Sequence, residues 1–226
     1  MAGSITNLAH NTNVIAFKGR RDILSNLYPC PIYYKDTWFN CAEQAYQFSK
    51  AIFHEEHELA KHILKIKSGY EQLACGQLVQ VNESWKRSRN LCMKQILSAK
   101  LDCVWEYRQL LLASKGAIVN ATPNEKYWSS GVSKADIYSQ KSWTGLNHLG
   151  RLHMMIRDEL QSLQAMIVSQ KRRISDCVRR DDFIDEIILD TTNVLVTVYA
   201  KNDHVAHVLT DEFAIPRKIV RVIVKS

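Results

Sequence analysis

Glycine and proline are scarce: eight and four in 226 residues. That excludes collagen-like and low-complexity chains and argues against a turn-dense all-β fold. No run approaches the roughly 18 apolar residues that a membrane span needs. The opening MAGSITNLAHNTNVIAF lacks a basic stretch followed by a long apolar one, so no secretion signal is expected there. The six cysteines, at 30, 41, 75, 92, 103 and 177, form no C-x-x-C pair, which removes the usual support for zinc ribbons and thioredoxin-type chemistry. Free thiols in a chain without that signal point to the cytoplasm, or to the nucleus. His54, His57 and His62 do not match H-E-x-x-H, and no metal or cofactor is expected.

What is present is an ordinary globular composition, 46% apolar and 23% charged. The formal charge is +7. Residues 1–164 hold 20 Lys+Arg against 14 Asp+Glu, so nearly all of the excess lies there. A modest basic excess suits an anionic partner such as a nucleotide or nucleic acid. The run Lys171–Arg173, with Arg179 and Arg180, is balanced by Asp181 and Asp182 and reads as a solvated helix end.

The pattern predicts an α+β protein. Short strands are expected at 13–18, 31–34 and 116–120, with Lys35-Asp36 as a turn. Helices are expected from Cys41 to Phe53 with Asn40 as N-cap, over 55–67, and over 70–80. A long one runs from Trp85 to Ala113 with Ser84 as cap, and a last one starts near Asn147. Leu149, Leu152, Ile156, Leu160 and Leu163 give that last helix an apolar stripe. Residues 121–145 read as a polar loop, long enough to suggest function. After about 182 the texture changes to β-branched runs: DEIILD, NVLVTVYA, HVAHVL and KIVRVIVK. The expected organisation is a mostly helical domain over 1–164 with a β-rich extension over 165–226.

Several residues could carry chemistry. Glu43, Gln47 and Lys50 stand at i, i+4 and i+7, on one helical face, with Glu43 and Lys50 roughly 10 Å apart along the axis. Hydrolysis of an N-glycoside passes through a cationic sugar. It needs a carboxylate and an acid, or an amine that attacks C1 and forms a Schiff base. Asn40-x-x-Glu43 is equally a capping-box pattern, and Lys50 equally a solvated side chain. Trp85 can stack on a base or fill the core. Trp128, in an irregular polar loop, is harder to explain as core. Arg89 and Arg157 match phosphate geometry, although Arg157 also suits a helix surface. Asn147 caps a helix, or helps hold a phosphate at its N-terminus with Gly145 and Gly150 allowing close approach. Ser25 and Asn26 line a pocket or form a local turn.

Five segments taken together resemble the NADAR family. They are Leu24-Ser25-Asn26-Leu27-Tyr28; Glu43-x-x-Tyr46-Gln47-x-x-Lys50; Trp85 on a helix with Arg89; Trp128-Ser129-Ser130-Gly131; and Gly145-x-Asn147-x-Leu149-Gly150 followed by Arg157. The resemblance spans about residues 14–164. It implies hydrolysis of an N-glycosidic bond at ribose C1, on ribosylamino pyrimidines or on ADP-ribose attached to guanine in DNA or RNA. By the same resemblance Glu43, Lys50 and Glu125 are the expected catalytic groups. Ser25, Asn26, Tyr46, Gln47, Trp85, Arg89, Trp128, Asn147, Gly150 and Arg157 are the expected substrate contacts. Three positions depart from the family pattern: Asn120 stands where a Glu is usual, Glu125 where an Asp is, and Ser129 where a Gly is. Two other readings remain at this stage: a module that binds ADP-ribose without cleaving it, and an interaction protein using the edge strands of 182–226.

Overall fold

β1 (Val14–Phe17) pairs in parallel with β4 (Ala117–Asn120), from Val14↔Ala117 to Phe17↔Asn120. A parallel pair needs a crossover, and here the crossover carries most of the domain. The computed structural model describes residues 14–178, 184–190, 195–200 and 220–224. Within the crossover β2 (Ile32–Tyr34) and β3 (Thr37–Phe39) form a hairpin. Its two turn residues, Lys35 and Asp36, have φ of 46° and 59°. Two consecutive positive φ values twist a two-residue turn to match its strands.

Helices α1 (Ala42–Phe53), α2 (His57–Lys65), α3 (Gly69–Gly76), α4 (Glu83–Cys103) and α5 (Trp105–Ala113) follow. α1 packs on α2, α3 and α4, and α4 also packs on β2. After β4 come α6 (Lys134–Tyr138) and α7 (His148–Val178). The core is built from Phe17, Leu24, Ile32, Met93, Ile96, Leu97, Leu111 and Ile118, all essentially buried. By its contacts the chain divides into two compact units, residues 1–157 and 158–226. In the second, β5 (Ile184–Asp190), β6 (Leu195–Ala200) and β7 (Val220–Val224) form a sheet in the order β5-β6-β7, antiparallel then parallel. DEIILD falls in β5, NVLVTVYA ends in β6 and KIVRVIVK contains β7. HVAHVL, and Arg179 to Asp182, lie outside the described residues.

The α+β class holds, and several boundaries differ from expectation. α1 is capped by Cys41, whose sulfur accepts from the Gln44 amide. Asn40 instead sends its side-chain amide to the Ile66 and Lys67 carbonyls. α4 is capped by Asn82, which accepts from the Trp85 amide at 2.8 Å, so Ser84 lies inside the helix. The single helix expected over 85–113 is two, because buried Val104 is extended (φ −122°, ψ 98°); a β-branched residue fits that conformation well. The stretch 121–145 is not wholly irregular. Ser133 and Asp136 form a capping box that starts α6.

Candidate active site

α1 presents Glu43, Tyr46, Gln47 and Lys50 inward. The cap at Cys41 moves the helix start one residue on from Asn40, so Glu43 has no capping role. Its backbone amide donates to the Asn26 carbonyl at 2.9 Å. Its carboxylate accepts from Gln47 Nε2 at 2.6 Å. Glu43 is 7% exposed and Lys50 8%. Burial pushes the Glu43 carboxyl upward, against hydrogen bonds from Gln47 and Asn26 and the charge of Lys50. Burial pushes the Lys50 ammonium downward, against the Glu43 charge. Both groups are thus moved toward their neutral forms, as expected when a pair loses its water.

The loop that brings Asn26 to Glu43 is held from below. Lys100 Nζ donates to the carbonyls of Ile23 and Ser25. His153 Nε2 pairs with the Leu24 carbonyl at 2.8 Å, and His153 Nδ1 with Tyr107 Oη at 2.7 Å. With Nε2 donating to a carbonyl, Nδ1 is the acceptor for the tyrosine hydroxyl. Lys100, His153 and Tyr107 are fully buried. The Lys100 ammonium lies over the rings of Tyr28 and Tyr107, 5.5 and 4.9 Å from their centroids. Burial lowers Lys100 to about 8, and burial, aided by the Lys100 charge, lowers His153 to about 3. Three consecutive carbonyls are therefore gripped by two side chains from α4 and α7. Sequence reasoning missed all three residues.

The aromatic residues gather around Tyr46. Its ring lies 5.5 Å from Trp85 and 5.6 Å from Trp128. Trp128 is edge-on to Tyr127 at 5.0 Å. The Arg89 guanidinium sits 3.3 Å from the centre of the Tyr127 ring, and His148 contacts the same ring at 4.4 Å. Glu125 accepts from the Tyr127 amide through Oε1. Tyr127 and His148, absent from the expected set, are thus the link between Arg89, Glu125 and Trp128.

Asn147, Gly150 and Arg157 are placed differently. Asn147, at φ 50°, is in a region that asparagine tolerates better than most residues. Its Nδ2 donates to the Ile118 carbonyl and its Oδ1 accepts from the Asn120 amide, both at 2.9 Å. A Cβ on Gly150 would meet the Ile118 carbonyl oxygen at 2.1 Å. Arg157 Nη1 donates to the Gly116 carbonyl at 2.6 Å. The amides of His148 and Leu149, the first of α7, donate to the carbonyls of Tyr127 and Trp128. Amides 145, 146 and 147 likewise donate to carbonyls 130, 126 and 129. The α7 N-terminus expected to receive a phosphate is thus already occupied by the loop that carries Trp128. Asn147 and Gly150 lock that helix to β4. Ser129 is not in the positive-φ region; its hydroxyl bonds to the Asn120 and Thr122 carbonyls. The substitution for glycine therefore adds a stitch. Asn120 turns its side-chain oxygen to the Thr122 hydroxyl, and Ser25 Oγ accepts the Leu27 amide in a local turn.

Four buried polar atoms around these residues have no hydrogen-bond partner: Asn26 Oδ1, Gln47 Oε1, Glu125 Oε2 and Arg89 Nε. Such atoms are costly unless a ligand completes them. Three are acceptors and one is a donor.

Comparison with known proteins gives a consistent picture. The NADAR domain profile matches residues 16–161. The chain is 26% identical to Protein irg-1 of Caenorhabditis elegans, over 63% of this chain and 77% of that one. It is 26% identical to N-glycosidase Npun_R5314 of Nostoc punctiforme, over 63% of this chain and 87% of that one. It is also 26% identical to the chloroplastic riboflavin biosynthesis protein PYRR of Zea mays, over 67% of this chain and 26% of that one. The solution structure of the Escherichia coli protein YbiA has the same fold, with TM-score 0.57, 22% identity and coverage of 73% of this chain and 96% of that one. No helix among the described residues is long and apolar enough to cross a membrane.

Proposed function

The chain belongs to the NADAR domain family, and from that premise we propose that it is an N-glycosidase, a hydrolase that removes ADP-ribose from guanine bases of nucleic acid. The observation that carries the reading is the Glu43–Lys50 pair: a carboxyl raised and an amine lowered by the same burial, on one helical face. A neutral amine is a nucleophile and a protonated carboxyl is an acid. Glu43 gives its proton to the ribose ring oxygen and the ring opens. The Lys50 amine adds to C1, the C1–base bond breaks, and the base leaves with a proton. The resulting Schiff base takes up water at C1, the lysine departs as amine, and free ADP-ribose recloses. The net reaction consumes one water per bond.

Tyr46, Trp85 and Trp128 hold the base by stacking. Asn26 and Glu125 receive ribose hydroxyl or base amino protons, Arg89 takes a phosphate oxygen, and Gln47, packed against Gly76, orients the Glu43 carboxylate. With the α7 amides occupied, phosphate recognition falls to side chains, so Asn147, Gly150 and Arg157 support the reading only through the scaffold. A second substrate class, the ribosylamino pyrimidines, is favoured by the similarity to a protein of riboflavin biosynthesis.

The test is release of free ADP-ribose from an oligonucleotide ADP-ribosylated on guanine, with wild type and Glu43→Gln. Release by wild type alone is expected. Release by both would remove Glu43 from the mechanism, and release by neither would transfer the assay to ribosylamino pyrimidines.

A further inference from the structure

A cavity of about 260 Å³ opens between α1, α4 and the β2–β3 hairpin. It does not contain Glu43 or Lys50, but Trp85 forms part of its wall. Tyr34, Phe39, Phe48 and Phe53 line it too, so it is an aromatic groove. Its rim is apolar and open to solvent: Ile52 and Phe53 are about two-fifths exposed and Leu91 is 61% exposed. A contiguous exposed apolar patch of this kind marks a binding surface. The volume is below the roughly 300–1,000 Å³ of drug-sized ligand sites, and suits one ring system rather than a whole nucleotide.

Its electrostatics have one sign. Lys35 lines the groove, and no carboxylate does. Arg87 stands four residues before Leu91 on α4, hence on the same face of that helix. An apolar protein segment would need neither Lys35 nor Arg87 beside it, whereas a polynucleotide brings a phosphate beside every base.

The groove is also aligned with the proposed site. Tyr46 and Phe53 are seven residues apart on α1, two turns or about 10 Å. Trp85 touches both, at 5.5 Å and 5.3 Å between ring centres. Tyr46 leads to Trp128 and the Arg89 cluster; Phe53 leads into the groove. The indole therefore joins the groove to the aromatic cluster around Tyr46.

We propose that this groove is a second base subsite, which stacks the nucleobase flanking the modified guanine in a single-stranded polynucleotide. The inference rests on the reading of the substrate as ADP-ribosylated nucleic acid.

Three substrates test it: ADP-ribosyl-guanosine, a short single-stranded oligonucleotide carrying the same modified guanine, and that oligonucleotide with abasic flanks. Stacking of one base should raise kcat/KM for the intact oligonucleotide by about tenfold over the nucleoside, through KM. Abasic flanks should abolish the gain. Leu91→Glu, a helix-compatible change on an exposed face, should abolish it too while leaving nucleoside kinetics unchanged; Lys35→Glu should reduce it. Hydrolysis of the nucleoside with no benefit from flanks, or a gain untouched by Leu91→Glu, would overturn the subsite and leave the N-glycosidase reading standing. If wild type cleaves neither form, the assignment of ADP-ribosylated guanine as substrate falls, and the groove is judged by fluorescence anisotropy of an unmodified labelled oligonucleotide. Binding weakened by Leu91→Glu would keep the subsite. Absent or unchanged binding would overturn it and leave the face to an apolar protein segment.

Discussion

His153 should make the protein sensitive to acid in a way that one substitution removes. The imidazole is fully buried, donates to the Leu24 carbonyl and accepts from Tyr107. Protonation would oblige Nδ1 to face the tyrosine oxygen as a donor, with Lys100 close enough to repel the new charge. Its pKa falls from 6.5 to about 3 on folding. The unfolded chain therefore binds the proton more readily, and stability is lost as pH falls below 6.5 until both states are protonated below about 3. The whole gap amounts to about 5 kcal/mol, of which about 2 kcal/mol is lost by pH 5. Lys100, at about 8, stays protonated from pH 7 to pH 5 and adds no slope there. Glu43, raised by burial, adds a slope of opposite sign, but equally in wild type and variant. His153→Gln can keep one donor and one acceptor and cannot titrate. Urea unfolding of both proteins at pH 7 and pH 5 isolates the difference. Wild type should lose about 2 kcal/mol more than the variant between the two conditions, or about 1 M in midpoint at an m near 2 kcal/mol/M. Equal losses would refute the claim that a neutral His153 is required to hold the 23–26 loop.

Two further outcomes follow from the site and its scaffold. Borohydride added during turnover should trap a sugar-linked mass on Lys50, read by peptide mass spectrometry; active turnover without such a mass would replace amine attack by direct attack of water. Gly150→Ala should destabilise by about 3 kcal/mol, seen as a lowered urea midpoint, because its Cβ would press on the backbone oxygen of Ile118 rather than on a mobile side chain. A wild-type midpoint would contradict the latch between α7 and β4.

The α1 face was legible because Glu43, Gln47 and Lys50 recur at helical spacing, which puts them on one face. The order of motifs was legible too, and the family profile covers nearly the stretch over which the resemblance extends. The helix starts were read less well for a local reason. Asn40 and Ser84 are ordinary capping residues, but the first is drawn away to the Ile66 carbonyl and the second is overtaken by Asn82. A thiol cap at Cys41 has no strong sequence preference behind it. Lys100 and His153 did leave a signal. Met93, Ile96 and Leu97 predict that the residue at 100 faces inward, and Leu149, Leu152 and Ile156 do the same for 153. A polar residue on an apolar stripe asks which carbonyl it serves, and the answer was the loop beside Glu43.

The glycine-asparagine segment at 145–150 shows why motif order outran motif meaning. Glycines before a helix suit phosphate binding because they expose amides, and the sequence alone cannot say what those amides meet. Here they meet carbonyls 126–130 of the same chain. That arrangement fixes Trp128 by its backbone and leaves its ring to the site. It also explains how Ser129 stands where glycine is usual: the loop is held through its peptide groups, and a hydroxyl that reaches Asn120 and Thr122 reinforces them. The same logic runs through the 23–26 loop, whose carbonyls are taken by Lys100 and His153 while Asn26 is aimed at Glu43. In both places buried backbone polar groups are satisfied by inward-facing donors. Among the described residues the unpartnered atoms are largely side-chain atoms around Glu43, Tyr127 and Trp128.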